Sequence, residues 1–507
     1  MQDCPPGCPE FLPAPGKSQI HSRKSPNLIR ISYLCAAKKQ IMNFDILIIG
    51  SGPGGYVAAI RAAQLGKQVA LVEKENLGGI CLNWGCIPTK ALLKSAQVFE
   101  YLNHAGEYGI EVPAGGKADF AAIIQRSRGV ADGMSKGVQF LMKKNKVTVI
   151  PGTGKLLGGK KVEVTSADGK TEEHTANHII LATGGRAKEL PNLPIDGVKI
   201  IEYRKAMSLA EQPKNMVVVG AGAIGVEFAY FYNAIGTEVT VVEFMEQGLV
   251  PREDEDISKE LSRSFNKAGI RVYANTEVTR VDTSGPGCVV YLKNRKSGQE
   301  ETLACDMVLS AAGITPNLEN IGLETAGVQL EKGLVKVDGF GQTNVPGIYA
   351  IGDITPGQAL AHVASAEGII CVEKIAGHHP APLDYNNIPG CTYCQPEIAS
   401  VGYTEKGARD AGYEIKVGKF PFSASGKAKA SGAPAGFVKV IFDAKYGEFL
   451  GAHMIGATVT EMIAEVVVAR KLETTGMDIV KSVHPHPTMS EALMEAAAAA
   501  YGEVIHL

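Results

Sequence analysis

No apolar run of about 18 residues or more occurs along the chain, which excludes a membrane-spanning helix on sequence grounds. Charge of one sign is missing too. Against 53 Asp and Glu stand 51 Lys and Arg, a formal net charge of −2, so no broad basic field argues for nucleic acid or an anionic membrane surface. Cysteine is too sparse for a disulfide scaffold, at ten in 507 residues. Residues 1–41 lack the apolar stretch of a secretory signal. What is present is ordinary for a globular protein: 45% hydrophobic and 21% charged residues, with 58 glycines that suit many α/β turns. The length suffices for about three domains.

Residues 1–42 differ in kind from the rest. They hold Pro5, Pro6, Pro9, Pro13 and Pro15, and Met42 directly precedes the first apolar strand. The expectation is a disordered extension or a start placed too early, with a cytoplasmic protein. A basic, Ser-containing transit peptide and a mitochondrial matrix location form the alternative, weakened by the prolines and the lack of an amphipathic helix.

Two dinucleotide-binding fingerprints follow. Gly50-Ser51-Gly52-Pro53-Gly54-Gly55 comes after the apolar run Phe44 to Ile49 and before an Ala-rich helix, Tyr56 to Leu65. The next strand, Val69 to Val72, ends at Glu73. Strand, glycine turn, helix, strand and acid are the required order. Gly50 permits the tight turn, Gly52 lets backbone N–H groups approach a pyrophosphate, and Gly55 lets helix and strand pack closely. The helix N-terminus attracts the anion, and Glu73 accepts from a ribose. The second fingerprint, Gly220-Ala221-Gly222-Ala223-Ile224-Gly225, lies between a strand at Asn215 to Val219 and a helix at Val226 to Ile235. The strand Glu238 to Val242 then ends at Glu243, with no Arg or Lys until Arg252. An acid there accepts from an unphosphorylated ribose and repels a 2′-phosphate, which favours NAD over NADP.

Between the fingerprints lies Cys81-Leu82-Asn83-Trp84-Gly85-Cys86. Residues five apart in an ideal helix have Cα atoms roughly 8–9 Å apart, whereas a disulfide needs about 4.4–6.8 Å. The pair therefore closes only across a distorted backbone, which Gly85 makes inexpensive. Such a ring is readily reducible. Lys90, four residues on, is placed to stabilise a neighbouring thiolate; two core thiols and a surface lysine are the bland alternative. A dithiol needs a base, and the best candidate is His486 with Glu491 in His484-Pro485-His486-Pro487-Thr488-Met489-Ser490-Glu491. The same stretch reads as a capping box, Thr488-x-x-Glu491, opening a helix to Tyr501. His362 and His453 are lone histidines of the kind that are more often structural. Cys288, Cys305 and Cys371 read as isolated core thiols. Cys391-Thr392-Tyr393-Cys394 sits in an apparent strand, Gly390 to Ala399, and with no second pair nearby reads as core and edge thiols; no metal site is expected.

The organisation is α/β. Residues 43–190 read as a doubly wound domain with helices around Lys90 to Leu102 and Phe120 to Lys144. Residues 191–310 hold the second nucleotide unit, and 311–383 return to the first. Residues 384–507 form a separate α+β domain. Strands His178 to Gly184, Met307 to Gly313 and Val345 to Asp353 end in glycine turns or an acid.

From about Asn43 onward the chain resembles the flavoprotein pyridine nucleotide-disulfide oxidoreductases of class I, and within them the dihydrolipoamide dehydrogenase branch. The run Gly78 to Lys90 matches the active-site signature. Ala182-Thr183-Gly184 and Gly352-Asp353 match flavin motifs, and His484 to Glu491 matches the C-terminal catalytic motif. The resemblance implies two Rossmann-like domains, for FAD and NAD, and a C-terminal dimerisation domain. FAD would be held by the first fingerprint, Glu73, Lys74, Lys90, Gly154, Thr183, Gly184, Gly185, Asp353 and the stretch Ala359, Leu360, Ala361, His362. NAD would be held by Gly220, Gly222, Gly225, Glu227, Glu243, Val278 and Gly313. Cys81 would be the interchange thiol and Cys86 the charge-transfer thiol. Lys90 would pair with Glu227. His486 and Glu491 would be donated across a homodimer interface, with a cis bond between His486 and Pro487. The implied activity is oxidation of dihydrolipoamide, with electrons passing through FAD to NAD, as part of cell redox homeostasis. The implied partners are lipoyl domains and the acyltransferase core of 2-oxo acid dehydrogenase complexes, or the glycine cleavage H protein.

Two positions depart from that pattern: Trp84, where many relatives carry a smaller residue, and Ile314, where many carry Arg. Glutathione or trypanothione reductase is the nearest rival, opposed by Glu243 and the missing Arg cluster. Mercuric reductase is opposed by the absence of cysteine after Cys394, and a soluble transhydrogenase by the paired thiols. A docking subunit of a 2-oxo acid dehydrogenase complex is the alternative of a different class.

Overall fold

The computed structural model describes residues 43–112 and 116–507. The expectations for residues 1–42 lie outside the described residues.

The first sheet is built from β1 (Asn43–Ile49), β2 (Val69–Glu73), β3 (Thr148–Pro151), β4 (Thr153–Gly158), β5 (Lys161–Thr165) and β6 (Thr171–Leu181), in the order β3-β2-β1-β6-β5-β4. Ile348–Ala350 lies parallel beside β6, so the chain returns to this sheet after completing the second unit. Ile46, Leu47 and Ile48 have no exposed surface. That burial on both faces is why β1 reads as an unbroken apolar run rather than an alternating one. Helices α1 (Pro53–Gln64), α2 (Gly79–Trp84), α3 (Cys86–Asn103) and α4 (Phe120–Lys144) follow the same stretch of chain. α1 presents Ala58, Ala59 and Ala62 to the core. The helix Ala361–Ile375 packs on α1 so closely that a Cβ on Gly368 would stand 2.8 Å from the Gly54 carbonyl oxygen.

The second unit repeats the plan with a parallel sheet ordered 271–273, 238–242, 215–219, 307–310 and 200–201. A three-stranded antiparallel sheet, 276–282, 288–294 and 300–305, accompanies it. The strand at Met307 stops at Ser310, short of the expected Gly313, and the helix begins at Ala223 rather than Val226. Cys288 and Cys305 are not isolated: they are direct partners across antiparallel strands. Their separation in sequence hid a register that only the hairpin sets.

Residues 390–456 supply a five-stranded antiparallel sheet covered by the helices Val459–Lys471 and Glu491–Ala500. The expected single strand from Gly390 to Ala399 is instead a hairpin, Gly390–Thr392 and Glu397–Gly402, paired through Cys391 and Ala399. Pro396 lies in its turn, where the lack of an N–H does no harm. A buried charge cluster ties this sheet to the second unit. Lys439 Nζ, 4% exposed, contacts Asp254 Oδ1 at 2.9 Å, Glu405 Oε2 at 2.9 Å and Asp256 Oδ2 at 3.1 Å. Among the described residues no helix is long and apolar enough to cross a membrane.

Candidate active site

The two candidate redox cysteines sit on different helices. Cys81 lies within α2 and Cys86 opens α3, and Gly85 between them leaves the helical conformation at φ −143° and ψ −117°. This is the backbone break that a Cys-x4-Cys pair requires. Gly78, at φ +98°, starts α2, and Asn83 anchors it by donating to the Leu77 and Gly79 carbonyls at 3.0 and 2.9 Å. The Trp84 ring packs beneath the Arg128 guanidinium, 4.3 Å from the ring centroid, with Arg204 at 5.6 Å. Arg128 also donates to the Asn83 carbonyl, one of the acceptors a helix end leaves without a partner. The bulky residue is thus accommodated by two arginines that sequence spacing did not connect to it.

The two thiols are pulled apart in acidity. A hydrogen bond from Cys81 brings Cys86 down to about 7, and Lys90 adds to the lowering. The same hydrogen bond and burial push Cys81 up. The first turn of α3 favours the negative sulfur as well. Cys86 is exposed and Cys81 half-buried. Lys90 Nζ is held by both oxygens of Glu227, at 2.9 and 2.8 Å. Tyr393 braces that pair twice: its N–H donates to Glu227 Oε1 at 2.9 Å, and its ring lies 4.4 Å from Lys90 Nζ. Tyr393 escaped the sequence reading because its partners lie 166 and more residues away. The cysteines flanking it make no pair: Cys391 packs in the C-terminal core, and the Cys394 thiol donates to the Pro396 carbonyl.

The two fingerprints are near copies. Gly50 and Gly220 have φ of +104° and +101°, and a Cβ on them would fall 2.2 Å from the Ala182 and 2.5 Å from the Ala311 carbonyl oxygen. A Cβ on Gly55 or Gly225 would fall 1.8 or 1.9 Å from the carbonyl oxygen of Gly50 or Gly220, while Gly52 and Gly222 face open space. Helices α1 and Ala223–Ala234 begin with neither a side-chain cap nor a first-turn acid. Their free N–H groups and positive ends therefore remain available to an anion. Glu73 Oε2 accepts from Ser51 N–H at 2.9 Å, and Glu243 Oε2 accepts from Ala221 N–H at 2.7 Å. Each acid is thereby fixed at the end of its strand beside the glycine turn. Both cradles fit a dinucleotide pyrophosphate.

A pyridine nucleotide-disulphide oxidoreductase family model matches residues 44–368, and the dimerisation-domain model of the same family matches residues 388–497. The chain belongs to this family. It is 47% identical over 479 residues to a dihydrolipoyl dehydrogenase of Rhizobium etli, covering 92% of this chain and 99% of that protein. It is 48% identical over 467 residues to one of Zymomonas mobilis, again covering 92% and 99%. LpdA from Mycobacterium tuberculosis superimposes with a TM-score of 0.83 at 29% identity, covering 90% of this chain and 99% of that one. The HOCl-induced flavoprotein disulfide reductase RclA from Escherichia coli does so with a TM-score of 0.79 at 27% identity.

The family's other motif positions fall as follows. Asp353 lies in a short turn of helix, Gly352–Ile354, and burial pushes its carboxyl up. A Cβ on Gly185 would stand 3.4 Å from Asp353 Oδ2, so the Thr183-Gly184-Gly185 turn and Asp353 adjoin. The Thr183 hydroxyl donates to the Asn317 carbonyl at 2.7 Å. Leu360 is the N-cap of the helix Ala361–Ile375, exposed Ala359 precedes it, and His362 Nε2 meets the Pro389 carbonyl at 3.0 Å. Lys74 is exposed just beyond β2. Gly154 lies in β4 with Ile49 against it, 3.0 Å from where a Cβ would be. Gly313 has φ +111°. Ile314 is 38% exposed. Val278, expected at the NAD site, is 5% exposed and packs in the second unit's core. Its place on the apolar face of an antiparallel strand decides this.

His486 Nδ1 is 2.9 Å from Glu491 Oε1, and Glu491 Oε2 accepts from Thr488 N–H at 2.8 Å. The two oxygens therefore serve the imidazole and the backbone separately. Only half of the expected capping box forms. Ser490, not Thr488, is the N-cap, and the Thr488 hydroxyl donates to the Pro485 carbonyl at 2.8 Å. The His486–Pro487 bond is cis. Burial tends to raise the Glu491 carboxyl, but the Thr488 N–H and His486 outweigh it and hold it below its usual value.

Proposed function

We propose that the protein oxidises protein-bound dihydrolipoamide to lipoamide through a Cys81–Cys86 redox pair. FAD in the first cradle and NAD in the second, when bound, supply the onward two-electron transfer to a nicotinamide. The observation that carries this reading is the placement of the two cysteines, Cys81 within α2 and Cys86 at the start of α3 across the Gly85 break, with Lys90 one turn on and held by Glu227. In thiol–disulfide exchange the better leaving group is the sulfur with the lower proton affinity, and that is Cys86. A substrate thiol attacks Cys81 of the disulfide, the Cys81–Cys86 bond breaks, and Cys86 leaves as thiolate beside Lys90. His486 takes the attacking thiol's proton, with Glu491 holding its ring. The second substrate thiol then attacks the substrate sulfur of the mixed disulfide, lipoamide departs, and Cys81 leaves as thiolate and takes up that thiol's proton. Two substrate thiols have been oxidised and one protein disulfide reduced.

The dimerisation-domain match supports a homodimer, in which the His486–Glu491 pair of one subunit would serve the dithiol of the other. Lipoyl domains and the acyltransferase core of a 2-oxo acid dehydrogenase complex, or a glycine cleavage H protein, are the partners that this activity calls for. The division into 43–190 with 311–383, 191–310, and 384–507 belongs to the same reading, supported by the pairing of Ile348–Ala350 with β6.

Incubating the protein with dihydrolipoamide and following NAD and NADP reduction side by side tests the proposal. Rapid NADH formation with little NADPH is expected. Reduction of glutathione disulfide by NADPH without lipoamide turnover would refute the substrate and the role of Glu243.

A further inference from the structure

The loop carrying His486 holds a second histidine whose two ring nitrogens both face acceptors. His484 Nε2 lies 2.9 Å from Glu465 Oε1 on the helix Val459–Lys471. Its Nδ1 lies 3.0 Å from the Ser482 carbonyl oxygen. A neutral imidazole has one N–H and one lone pair, so it would satisfy one contact and oppose lone pair to lone pair at the other. Only the imidazolium donates at both. The side chain is 6% exposed, so its charge is sheltered from water with Glu465 as counter-ion. The Glu465 hydrogen bond raises its proton affinity against burial, and the Ser482 carbonyl and Glu491 add to the rise. His486 differs: its side chain is 78% exposed and engages a carboxylate through Nδ1.

We propose that His484 is a positioning residue for the acid–base pair, a fixed imidazolium that ties the His484–Glu491 loop to the helix Val459–Lys471 and keeps a positive charge beside His486 and Glu491. The inference rests on the reading of His486 as the base. The charged groups around His484 are Glu465 from the helix Val459–Lys471 and Glu491 from the last helix. Two residues along its own loop stands His486. A positive charge here favours ionised Glu491, the carboxylate that holds the His486 ring. It therefore favours the proton-free form of the pair as a unit. Without it, the acid–base pair as a whole holds its proton more tightly, so turnover should need a higher pH.

The test is kcat/KM for dihydrolipoamide oxidation against pH in the holoenzyme and in H484Q, E465Q and H486Q, with melting temperature and flavin absorbance confirming each fold. The acid-side midpoint is expected to move to higher pH in H484Q, which leaves the Glu465 carboxylate without its partner, and to move less in E465Q. A merely structural histidine would lower the plateau and leave the midpoint in place, and an unmoved midpoint in both variants overturns the proposal. E465Q carries the test if H484Q fails to fold. H486Q separates the two levels. If it keeps the wild-type profile, the assignment of the base fails and the inference falls with it. If it abolishes turnover while the other midpoints stay fixed, only the inference fails.

Discussion

Removing the Cys81 thiol should move the acidity of Cys86 without touching Cys86 itself. The hydrogen bond from Cys81 is the largest influence holding Cys86 at about 7, ahead of Lys90. In Cys81→Ala that bond is gone, and the thiol should return toward the ordinary value of about 8.5. At pH 7 the thiolate fraction then falls from about one half to about 3%. Each thiolate becomes more nucleophilic as its basicity rises, by about fivefold for a shift of about 1.5 units at a Brønsted slope near 0.45. The two effects oppose each other. Alkylation of Cys86 by iodoacetamide should be about threefold slower than in the reduced wild type at pH 7, and about fivefold faster at about pH 10, where both thiols are ionised. The pH–rate profiles should therefore cross. Peptide mass spectrometry resolves the Cys86 adduct from all others, and Cys86 is exposed enough to react. A C81A profile that keeps its midpoint near 7 would refute the hydrogen-bond argument and leave Lys90 as the main influence.

Gly225→Ala would place a methyl 1.9 Å from the Gly220 carbonyl oxygen. Relieving it should cost about 1–3 kcal/mol and be seen as a raised KM for NAD in a protein that still binds flavin; normal NAD kinetics would refute it. Lys439→Met leaves Asp254, Asp256 and Glu405 facing one another, and urea unfolding should show a loss of about 3–5 kcal/mol. Burial pushes Asp254 and Asp256 up, but Lys439 outweighs it, and Lys439 directly lowers Glu405, so all three lie below their usual values. Their stabilisation is complete above the ordinary carboxylate range and is lost as pH falls through the lowered values. Wild type should therefore lose more stability on acidification than the variant. Glu227→Gln should loosen Lys90, since both carboxylate oxygens hold it now, and slow turnover more than it changes the melting temperature; a matched fall in both would point to packing alone.

Strand, turn and helix were legible where local chemistry decides them. The strands Asn215–Val219 and Glu238–Val242 and the helix Phe120–Lys144 lie where the pattern put them. Glycine turns and apolar runs carry their own geometry, because a turn at positive φ and a strand buried on both faces each demand particular residues in sequence. The break between the two cysteines was legible for the same reason, since the distance limits of a helix and of a disulfide are incompatible without it. Less legible was the half-formed capping box at Thr488, where two local hydrogen-bonding patterns compete for one carboxylate.

Tertiary structure alone decided the rest. Nothing near Trp84 in sequence announces Arg128 and Arg204, nothing near Glu227 announces Tyr393, and nothing near His484 announces Glu465. The pairing of Cys288 with Cys305 waits on a hairpin register, and the burial of Val278 on which face of its sheet turns inward. Sequence by itself pointed to the groups that would carry chemistry: two glycine turns that each open a helix, a cysteine pair across a helix break, and a histidine with a carboxylate five residues on. How those groups are tuned was settled only by packing, because a hydrogen bond or a buried charge acts over a few ångströms of space, and folding brings together residues that the chain keeps far apart.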